Sequence, residues 1–331
     1  MEQDCIEIAM AANQAYAKGL FVTAASIVMS SNKDVRLSFN ILDGGIDETY
    51  LQWMSQRLRE LREGVSIRHF KISDTLFDKF PAWRGNKMTY ARFLLPELLP
   101  AAKFVVYCDV DMCWRADISE LWRIRNCNYL LMAVRDPFID TIDSHNEWVM
   151  QNGLSEQTNQ YFCAGMLVMN LELFRERKII DRVYEFLEVH PDVLFPDQDA
   201  LNYTVGTETC LVDNKWMQFS CQLGKVDPHM HVVIHYVNDA PWAKTALLTS
   251  ITDARFVWYW TFAKACGKSI LIVLCDLYGC LSAIAILALA IVARLPIFRH
   301  IMLGLYKMNR RYDALSLLNN RVAGFYFMRN M

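Results

Sequence analysis

Two carboxylates follow a short apolar strand in the string Phe104-Val-Val-Tyr-Cys-Asp109-Val-Asp111. In a parallel sheet, ligands bind beyond the carboxyl ends of the strands, which is where Asp109 and Asp111 would lie. Hard oxygen donors of this kind suit Mg²⁺ or Mn²⁺, and such an ion bridges protein carboxylates to a diphosphate. An acidic turn after a strand produces the same pattern without a ligand, so both interpretations stay open on these residues alone.

Other polar residues lie at similar places along the chain. His235 ends an apolar run at 232–234 and would complete a divalent site with the two aspartates, because mixed oxygen and nitrogen ligation favours Mn²⁺ over Ca²⁺. A packed histidine is the alternative. The string Asp197-Gln198-Asp199 begins a predicted helix, where its acids either cap the helix or face a substrate. Asp136 follows another strand, and Arg92 offers either a planar clamp for a diphosphate or a surface salt bridge.

The first 240 residues alternate short apolar runs with amphipathic stretches. The runs predict strands at residues 6–10, 37–42, 66–70, 104–107, 130–134, 166–171 and 231–236. Apolar residues at helical spacing predict helices at 16–30, 47–61, 89–98, 172–189 and 197–203, with Asp47 as an N-cap. This alternation predicts an α/β fold with a mostly parallel sheet covered by helices on both faces.

Length and composition exclude several classes of protein. The chain has 331 residues, of which 53% are hydrophobic and 21% charged, so it is neither disordered nor collagenous and can bury a large core. The formal net charge of −2 gives no reason to expect a nucleic acid partner. Ten cysteines occur without a CxxC pair, which favours free thiols in a reducing compartment. The amino-terminal residues do not resemble a secretory signal, so we expect a cytoplasmic protein.

The composition changes near residue 268. Residues 270–293 carry one charge, Asp276, and as a helix would be about 36 Å long, enough to cross a bilayer core. Residues 294–331 carry seven Lys or Arg and one acid among aromatic residues, a mixture that suits an anionic membrane surface. We therefore predict two parts, residues 1–262 and a membrane-associating helical region at 263–331.

The charge of the tail bears on how this region would meet a membrane. A single span would carry the basic tail to the far side, against the tendency of Lys and Arg to stay inside. A re-entrant hairpin or a helix lying in the interface is therefore favoured over a span. A packed helix with a basic cap is the remaining alternative.

Seven strings occur in a defined order along the chain. They are Met10-Ala-Ala-Asn-Gln-Ala-Tyr16, Leu42-Asp-Gly-Gly-Ile46, Thr89-Tyr-Ala-Arg92, Tyr107-Cys-Asp-Val-Asp111, Tyr161-Phe-Cys-Ala-Gly165-Met-Leu-Val-Met-Asn170, Asp197-Gln-Asp199, and His235-Tyr followed by Pro241-Trp242. Together they resemble glycosyltransferase family 8, the retaining group with a GT-A fold that contains bacterial lipopolysaccharide and lipooligosaccharide galactosyl- and glucosyltransferases. The similarity covers residues 5–243.

The resemblance implies a UDP-sugar donor whose diphosphate is held by Mn²⁺, or Mg²⁺, on Asp109, Asp111 and His235. It implies that Gln198 and Asp197 support the reacting centre electrostatically, without a covalent intermediate. The implied activity moves a hexose to a cell-surface glycan or glycolipid, such as lipopolysaccharide core, at the inner face of the bacterial cytoplasmic membrane. The implied substrate contacts are Ala11, Ala12, Asn13, Tyr16, Arg92, Asp109, Val110, Asp136, Ala164, Gly165 and Asp199.

Three departures from the family pattern leave a second interpretation open. The first loop reads Asn13-Gln14-Ala15, so that Ala15 stands in a loop where acidic or amide residues are usual, and Cys163 stands where Asn is usual. The string from His235 to Trp242 is one residue shorter than usual and lacks the Gly and the phosphate-binding Lys, although Lys244 follows just beyond. A weakly catalytic relative that binds a nucleotide-sugar or scaffolds an assembly at the membrane is therefore the alternative. A Rossmann-type oxidoreductase is disfavoured, because no G-x-G-x-x-G follows the first strand.

Overall fold

The computed structural model describes residues 5–83, 85–154, 160–223, 226, 230–237, 240–243 and 252–294. Its strands are β1 (Cys5–Ala12), β2 (Arg36–Asp43), β3 (Val65–Lys71), β4 (Phe104–Cys108), β5 (Met112–Trp114), β6 (Leu131–Arg135), β7 (Phe162–Asn170), β8 (Thr209–Leu211), β9 (Gln218–Phe219) and β10 (Val233–His235). Its α-helices are α1 (Ala17–Ser30), α2 (Glu48–Leu61), α3 (Leu95–Leu98), α4 (Ile118–Arg123), α5 (Asp143–Gln151), α6 (Leu171–Glu176), α7 (Ile179–Val189), α8 (Pro196–Val205), α9 (Asp253–Cys266), α10 (Ile270–Tyr278) and α11 (Cys280–Arg294).

A seven-stranded sheet with the order β3-β2-β1-β4-β7-β6-β8 forms the centre of the fold. The strands β1 to β4 are parallel to one another and β6 is parallel to β8, whereas β7 is antiparallel to both β4 and β6. The prediction of a mostly parallel sheet flanked by helices is confirmed. Because β7 is reversed, its amino-terminal end lies beside the carboxyl ends of β4 and β6. Its first residues therefore join the edge at which such sheets bind ligands.

A second, three-stranded sheet has the order β5-β10-β9. The strand β10 is antiparallel to β5 and parallel to β9, and its last residue, His235, pairs with Met112. The predicted strand at 231–236 is thus only three residues long. The partner strands β5 and β9 have three and two residues, too few for an alternating pattern to reveal them.

Two predicted helices differ from the observed ones. The helix predicted at 172–189 is two helices, α6 and α7, because Lys178 between them has a left-handed φ of 50° that an α-helix does not contain. The helix predicted at 89–98 is a 3₁₀ segment, Met88–Leu94, followed by the one-turn α3. Pro96 in α3 has no amide hydrogen with which to continue an earlier helix.

Apolar side chains pack on both faces of the large sheet. On one face α1 and α9 bury Leu20, Phe21 and Trp258. On the other face the 3₁₀ segment and α8 bury Phe93 and Leu201. Burial on both faces explains why the central strands are nearly continuous apolar runs.

The apolar run at 270–293 forms two helices and not one. Gly279, with a left-handed φ of 84°, separates α10 from α11. Among the residues that the structure describes, none of the helices is long and apolar enough to cross a membrane. Leu274 and Ile286 are buried against the core, whereas Leu281 is 86% exposed. The membrane association of this region stays a prediction, and residues 295–331 lie outside the described residues.

Candidate active site

Two carboxylates and an imidazole converge at the carboxyl end of β4. Asp109 and Asp111 follow β4 directly, and His235 is brought to them because β10 pairs with β5. One donor atom from each of the three side chains lies within 4.8 Å of the donor atoms of the other two. His235 Nε2 is 3.1 Å from Asp111 Oδ1 and 3.9 Å from Asp109 Oδ2. We call these three residues the metal cluster.

The metal cluster lies so close to β7 that residue 165 has no room for a side chain. A Cβ at Gly165 would lie 2.5 Å from His235 Cε1 and 3.1 Å from Asp109 Oδ2. The Gly165 carbonyl accepts a hydrogen bond of 2.8 Å from the Asp109 amide. The backbone of β7 therefore supports two members of the cluster.

The loop between the two aspartates is fixed from the other side by α1. The Thr23 hydroxyl lies 2.8 Å from the Val110 carbonyl and 2.7 Å from the Met112 carbonyl. Thr23 is fully buried, and the Val110 side chain is buried as well. Any substrate contact at Val110 would therefore be made through its backbone.

Burial and mutual charge shift the pKa values of the metal cluster. Burial raises the pKa of Asp109 to about 6, with a contribution from neighbouring Asp111 and against the opposing effect of Arg92. Burial also acts to raise the pKa of Asp111, but the adjacent His235 outweighs it and holds that pKa below its usual value. Burial lowers the pKa of His235, yet the two carboxylates outweigh burial and raise it. A divalent cation would replace the protons for which these groups compete.

Arg92 connects the metal cluster to α8. Its side chain is 3% exposed, so the alternative of a surface salt bridge is wrong. Its Nη2 lies 3.1 Å from Asp109 Oδ1 and 3.2 Å from Asp197 Oδ2, and its Nη1 donates to the Ala164 carbonyl at 2.5 Å. The guanidinium also stacks over Tyr107, 4.3 Å from the ring centroid. Arg92 thus sets the spacing between a candidate ligand and a candidate sugar-facing carboxylate.

Gln198, on α8, has an amide that is held at both ends. Its Oε1 accepts from the Ala164 amide at 2.9 Å, and its Nε2 donates to Asp136 Oδ2 at 3.1 Å. Burial raises the pKa of Asp136. Because Asp197 faces Arg92 and Gln198 reaches β7, these two residues do more than cap a helix.

The loop after β1 lies at the same edge of the sheet, because β1 and β4 are parallel neighbours. Ala11 and Ala12 end β1, and Ala12 is buried. Asn13 Oδ1 accepts a hydrogen bond of 3.1 Å from the backbone two residues on, and so caps a 3₁₀ turn. Tyr16 is exposed, with its ring edge-on to Trp242 at a centroid distance of 5.8 Å. Tyr16 therefore offers the most accessible ring surface of this loop.

A family model described as Glycosyl transferase family 8 matches residues 7–246, about three quarters of the chain. The chain belongs to glycosyltransferase family 8. General stress protein A of Bacillus subtilis is 26% identical over 223 residues, which cover 65% of this chain and 74% of that protein. Glycosyltransferase GlyB of Streptococcus pneumoniae is 24% identical over 246 residues, which cover 68% of this chain and 54% of GlyB, so the chain spans about half the length of that relative.

The structural comparison supports the same fold. A crystal structure of galactosyltransferase LgtC in complex with donor and acceptor sugar analogs aligns with a TM-score of 0.66 at 23% identity. The alignment covers 78% of this chain and 96% of LgtC. At this identity the likeness gives the fold, which is the GT-A arrangement of a mostly parallel sheet flanked by helices.

The metal cluster fits the divalent cation that family 8 implies. Its donor set is two hard carboxylates and one imidazole, which is suited to Mn²⁺ and acceptable to Mg²⁺. His235 Nδ1 is buried and has no hydrogen-bond partner among the described residues, so Nε2, which faces Asp111, is the nitrogen placed for ligation.

The expectation that Asp199 contacts the substrate is wrong. Its side chain is fully buried, and its Oδ1 lies 2.8 Å from His145 Nε2 and 2.5 Å from the Tyr161 hydroxyl. Its Oδ2 accepts from the Phe195 amide at 2.8 Å. A buried carboxylate that accepts protein hydrogen bonds on both oxygens is not available to a substrate. No sequence motif singles out His145, which sequence reasoning missed.

Of the two remaining departures from the family pattern, the one at Cys163 lies within the described residues. Cys163 is buried in β7, and burial raises the pKa of its thiol well above the usual range. It therefore stays a neutral thiol, a weak donor where the family usually has an amide. Lys244, the suggested replacement for the missing lysine, lies outside the described residues, as do residues 238–239.

Proposed function

We propose that the chain is a metal-dependent, retaining hexosyltransferase that uses a UDP-sugar donor and a glycan or glycolipid acceptor, lipopolysaccharide core in particular. The observation that carries this proposal is the connection of the metal cluster to Gln198 and Asp197 through Arg92 and Ala164. This connection supports a diphosphate site that lies next to a sugar site. When bound, Mn²⁺ or Mg²⁺ would neutralise negative charge on the departing UDP.

The chain's own residues have distinct tasks in this proposal. Arg92 keeps Asp109 and Asp197 at fixed positions, 3.1 and 3.2 Å from one nitrogen. Asp197 and Gln198 present oxygen atoms to the positive charge that develops at the anomeric carbon. The bond between that carbon and the UDP oxygen breaks while a bond to the acceptor hydroxyl oxygen forms on the same face, and the hydroxyl proton passes to the departing phosphate oxygen of UDP.

The test is UDP release from UDP-glucose, UDP-galactose and their N-acetyl forms, each with Mn²⁺, with Mg²⁺ and with a chelator. We expect turnover that needs the cation, with one donor preferred. Gln198→Ala is expected to lower kcat with little change in UDP affinity, because its contact is made at the reacting centre. An equal loss of UDP affinity and rate would place Gln198 at the nucleotide end of the cleft. Cation-dependent UDP binding without turnover of any donor would instead support the weakly catalytic relative.

We also propose that the carboxyl-terminal helices bind the inner face of the bacterial cytoplasmic membrane. Leu281, Ile284 and Ile291 of α11 are 86%, 59% and 65% exposed, an apolar surface that an acyl layer would cover. The basic composition of residues 295–331 adds attraction to anionic lipid.

Sedimentation with phosphatidylglycerol vesicles tests the membrane proposal. The double change Leu281→Glu and Ile284→Glu is expected to weaken binding on the order of tenfold or more. Leu76→Glu is a matched control, since Leu76 is 59% exposed but lies in a 3₁₀ turn far along the chain from α11. Equal vesicle binding by all three proteins would refute membrane contact through α11.

A further inference from the structure

A buried chain of polar groups runs from α5 to Gln198. His145 and Asp199 are 1% and 0% exposed, and His145 Nε2 lies 2.8 Å from Asp199 Oδ1. Tyr161 donates to the same oxygen at 2.5 Å, and its own oxygen lies 3.4 Å from Gln198 Nε2. Buried polar groups are costly unless each has a partner, so a chain of this kind holds its members in one arrangement.

The directions of the hydrogen bonds from Phe195 to Asp199, from Tyr161 to Asp199 and from Gln198 to Tyr161 can be derived from the chemistry of these groups. The Phe195 amide can only donate, and it donates to Asp199 Oδ2 at 2.8 Å. Burial, together with the nearby Asp199 charge, raises the pKa of Tyr161 well above its ordinary value, so the phenol keeps its proton. The Tyr161 hydroxyl therefore donates a hydrogen bond to Asp199, and its oxygen accepts one from Gln198 Nε2.

The same reasoning fixes the amide of Gln198. The Ala164 amide can only donate, so it must meet Oε1, and Nε2 is then the atom that faces Asp136 Oδ2 and donates to it. Both hydrogens of Nε2 are then committed, one to Asp136 and one to Tyr161. If the Gln198 amide were flipped, its NH₂ group would face the Ala164 N–H, a donor against a donor. Its oxygen would face the Asp136 carboxylate, an acceptor against an acceptor.

We propose that His145, Asp199 and Tyr161 are positioning residues that act together with Ala164 and Asp136 to fix the direction of the Gln198 amide, so that a lone pair of Oε1 is the group offered to the substrate. This inference rests on the proposed transferase function, in which Gln198 lies at the reacting centre. A carbonyl oxygen suits positive charge developing at a sugar carbon, whereas an NH₂ group would oppose it. Through His145, the chain also connects α5 to Gln198.

The first test is Tyr161→Phe, which keeps the ring and removes only the hydroxyl. We expect kcat to fall on the order of 10- to 100-fold, with KM for the donor and UDP affinity within about twofold of the wild-type values. The matched control is His190→Gln. His190, like His145, packs against Trp148, but among the described residues its side chain hydrogen-bonds to Asn152 and not to Asp199, so the kcat of His190→Gln should equal that of the wild type. A kcat for Tyr161→Phe within twofold of wild type would overturn the proposal.

The second test is Asp199→Asn, which reverses the polarity of the chain. The Phe195 amide must still meet an oxygen, so the new NH₂ group in Asp199→Asn faces the Tyr161 hydroxyl. The hydroxyl then accepts from this NH₂ group, and its hydrogen turns toward Gln198 Nε2, where two donors oppose each other. Adding Tyr161→Phe removes that conflict. The double variant should therefore be no slower than Asp199→Asn alone, whereas independent effects would multiply. Multiplying effects, or a loss of kcat that only follows a loss of melting temperature, would indicate a merely structural role and overturn the proposal.

A third measurement does not depend on activity. In protein labelled with ¹⁵N-glutamine, the side-chain amide of Gln198 is assigned by its absence in Gln198→Glu. Its hydrogens should exchange slowly in the wild type and His190→Gln, and faster by several fold in Tyr161→Phe. If the wild type turns over no donor but this pattern holds, the proposed function fails and the positioning chain stands. If exchange is the same in all three proteins, the positioning chain is wrong, whatever the activity.

Discussion

The sharpest perturbation of the metal cluster is Gly165→Ala, which adds a single methyl group on the side of the cluster that faces β7. The new Cβ would lie 2.5 Å from His235 Cε1 and 3.1 Å from Asp109 Oδ2. Ordinary contact begins near 3.4 Å, so the imidazole has to move by about 1 Å. Metal sites tolerate ligand displacements of only about 0.2 Å. We expect Mn²⁺ affinity to fall on the order of 10- to 100-fold, or about 1.4–2.8 kcal/mol.

Calorimetric titration of Mn²⁺, alone and with UDP, measures this loss. The matched control is Gly206→Ala, because Gly206, like Gly165, has a φ outside the left-handed region but has no described atom within 4 Å of a Cβ built there. It should bind Mn²⁺ as the wild type does. The melting temperature without metal separates a local effect from misfolding. Wild-type Mn²⁺ affinity in folded Gly165→Ala would refute the placement of His235 and Asp109 around one ion.

Three further outcomes are expected from the same site. Asp111→Asn should abolish turnover and weaken Mn²⁺ binding at least about tenfold while leaving the fold intact, which calorimetry and far-UV circular dichroism check; unchanged binding would exclude Asp111 as a ligand. Because the pKa of Asp109 is raised to about 6 and that of His235 is raised above its usual value, protons on both groups compete with the cation, so Mn²⁺ affinity should fall by about tenfold or more per pH unit below 6 and should still be rising above pH 6; a flat profile between pH 5 and 7 would contradict this. Arg92→Lys should lower kcat on the order of tenfold or more, because a lysine keeps the charge but not the fork that meets Asp109, Asp197 and Ala164 together; full activity would show that charge alone suffices.

The parts of the fold that the sequence predicts are those with local patterns. Strands β1, β2 and β4 are apolar runs because both of their faces are buried, and the alternation with α1 and α2 indicates their parallel order. Asp109 and Asp111 directly follow β4, so their place at the carboxyl edge of the sheet depends on no distant contact.

The parts that could not be predicted depend on pairings between distant segments. His235 reaches the aspartates only because β10 pairs with the three-residue β5, which has no pattern of its own. The reversed direction of β7 puts Gly165 behind the metal cluster, and an apolar run is the same read in either direction. Asp199 sits in an acidic string that suggests ligand binding, yet the fold turns its side chain inward to His145.

The carboxyl-terminal helices are connected to the candidate active site through the residues that follow His235. The Tyr278 hydroxyl, on the last residue of α10, donates to the Pro241 carbonyl at 2.5 Å and lies 2.7 Å from the Tyr259 hydroxyl of α9. Trp242, the next residue, meets the ring of Tyr16 in the loop after β1. A surface that binds α11 would therefore act on the pair formed by α10 and α11. Tyr278 of this pair holds Pro241, and the neighbouring Trp242 contacts the candidate nucleotide loop. Under the two proposals, membrane contact and donor binding both depend on the contact between Tyr278 and Pro241, because Tyr278 directly precedes the break between α10 and α11.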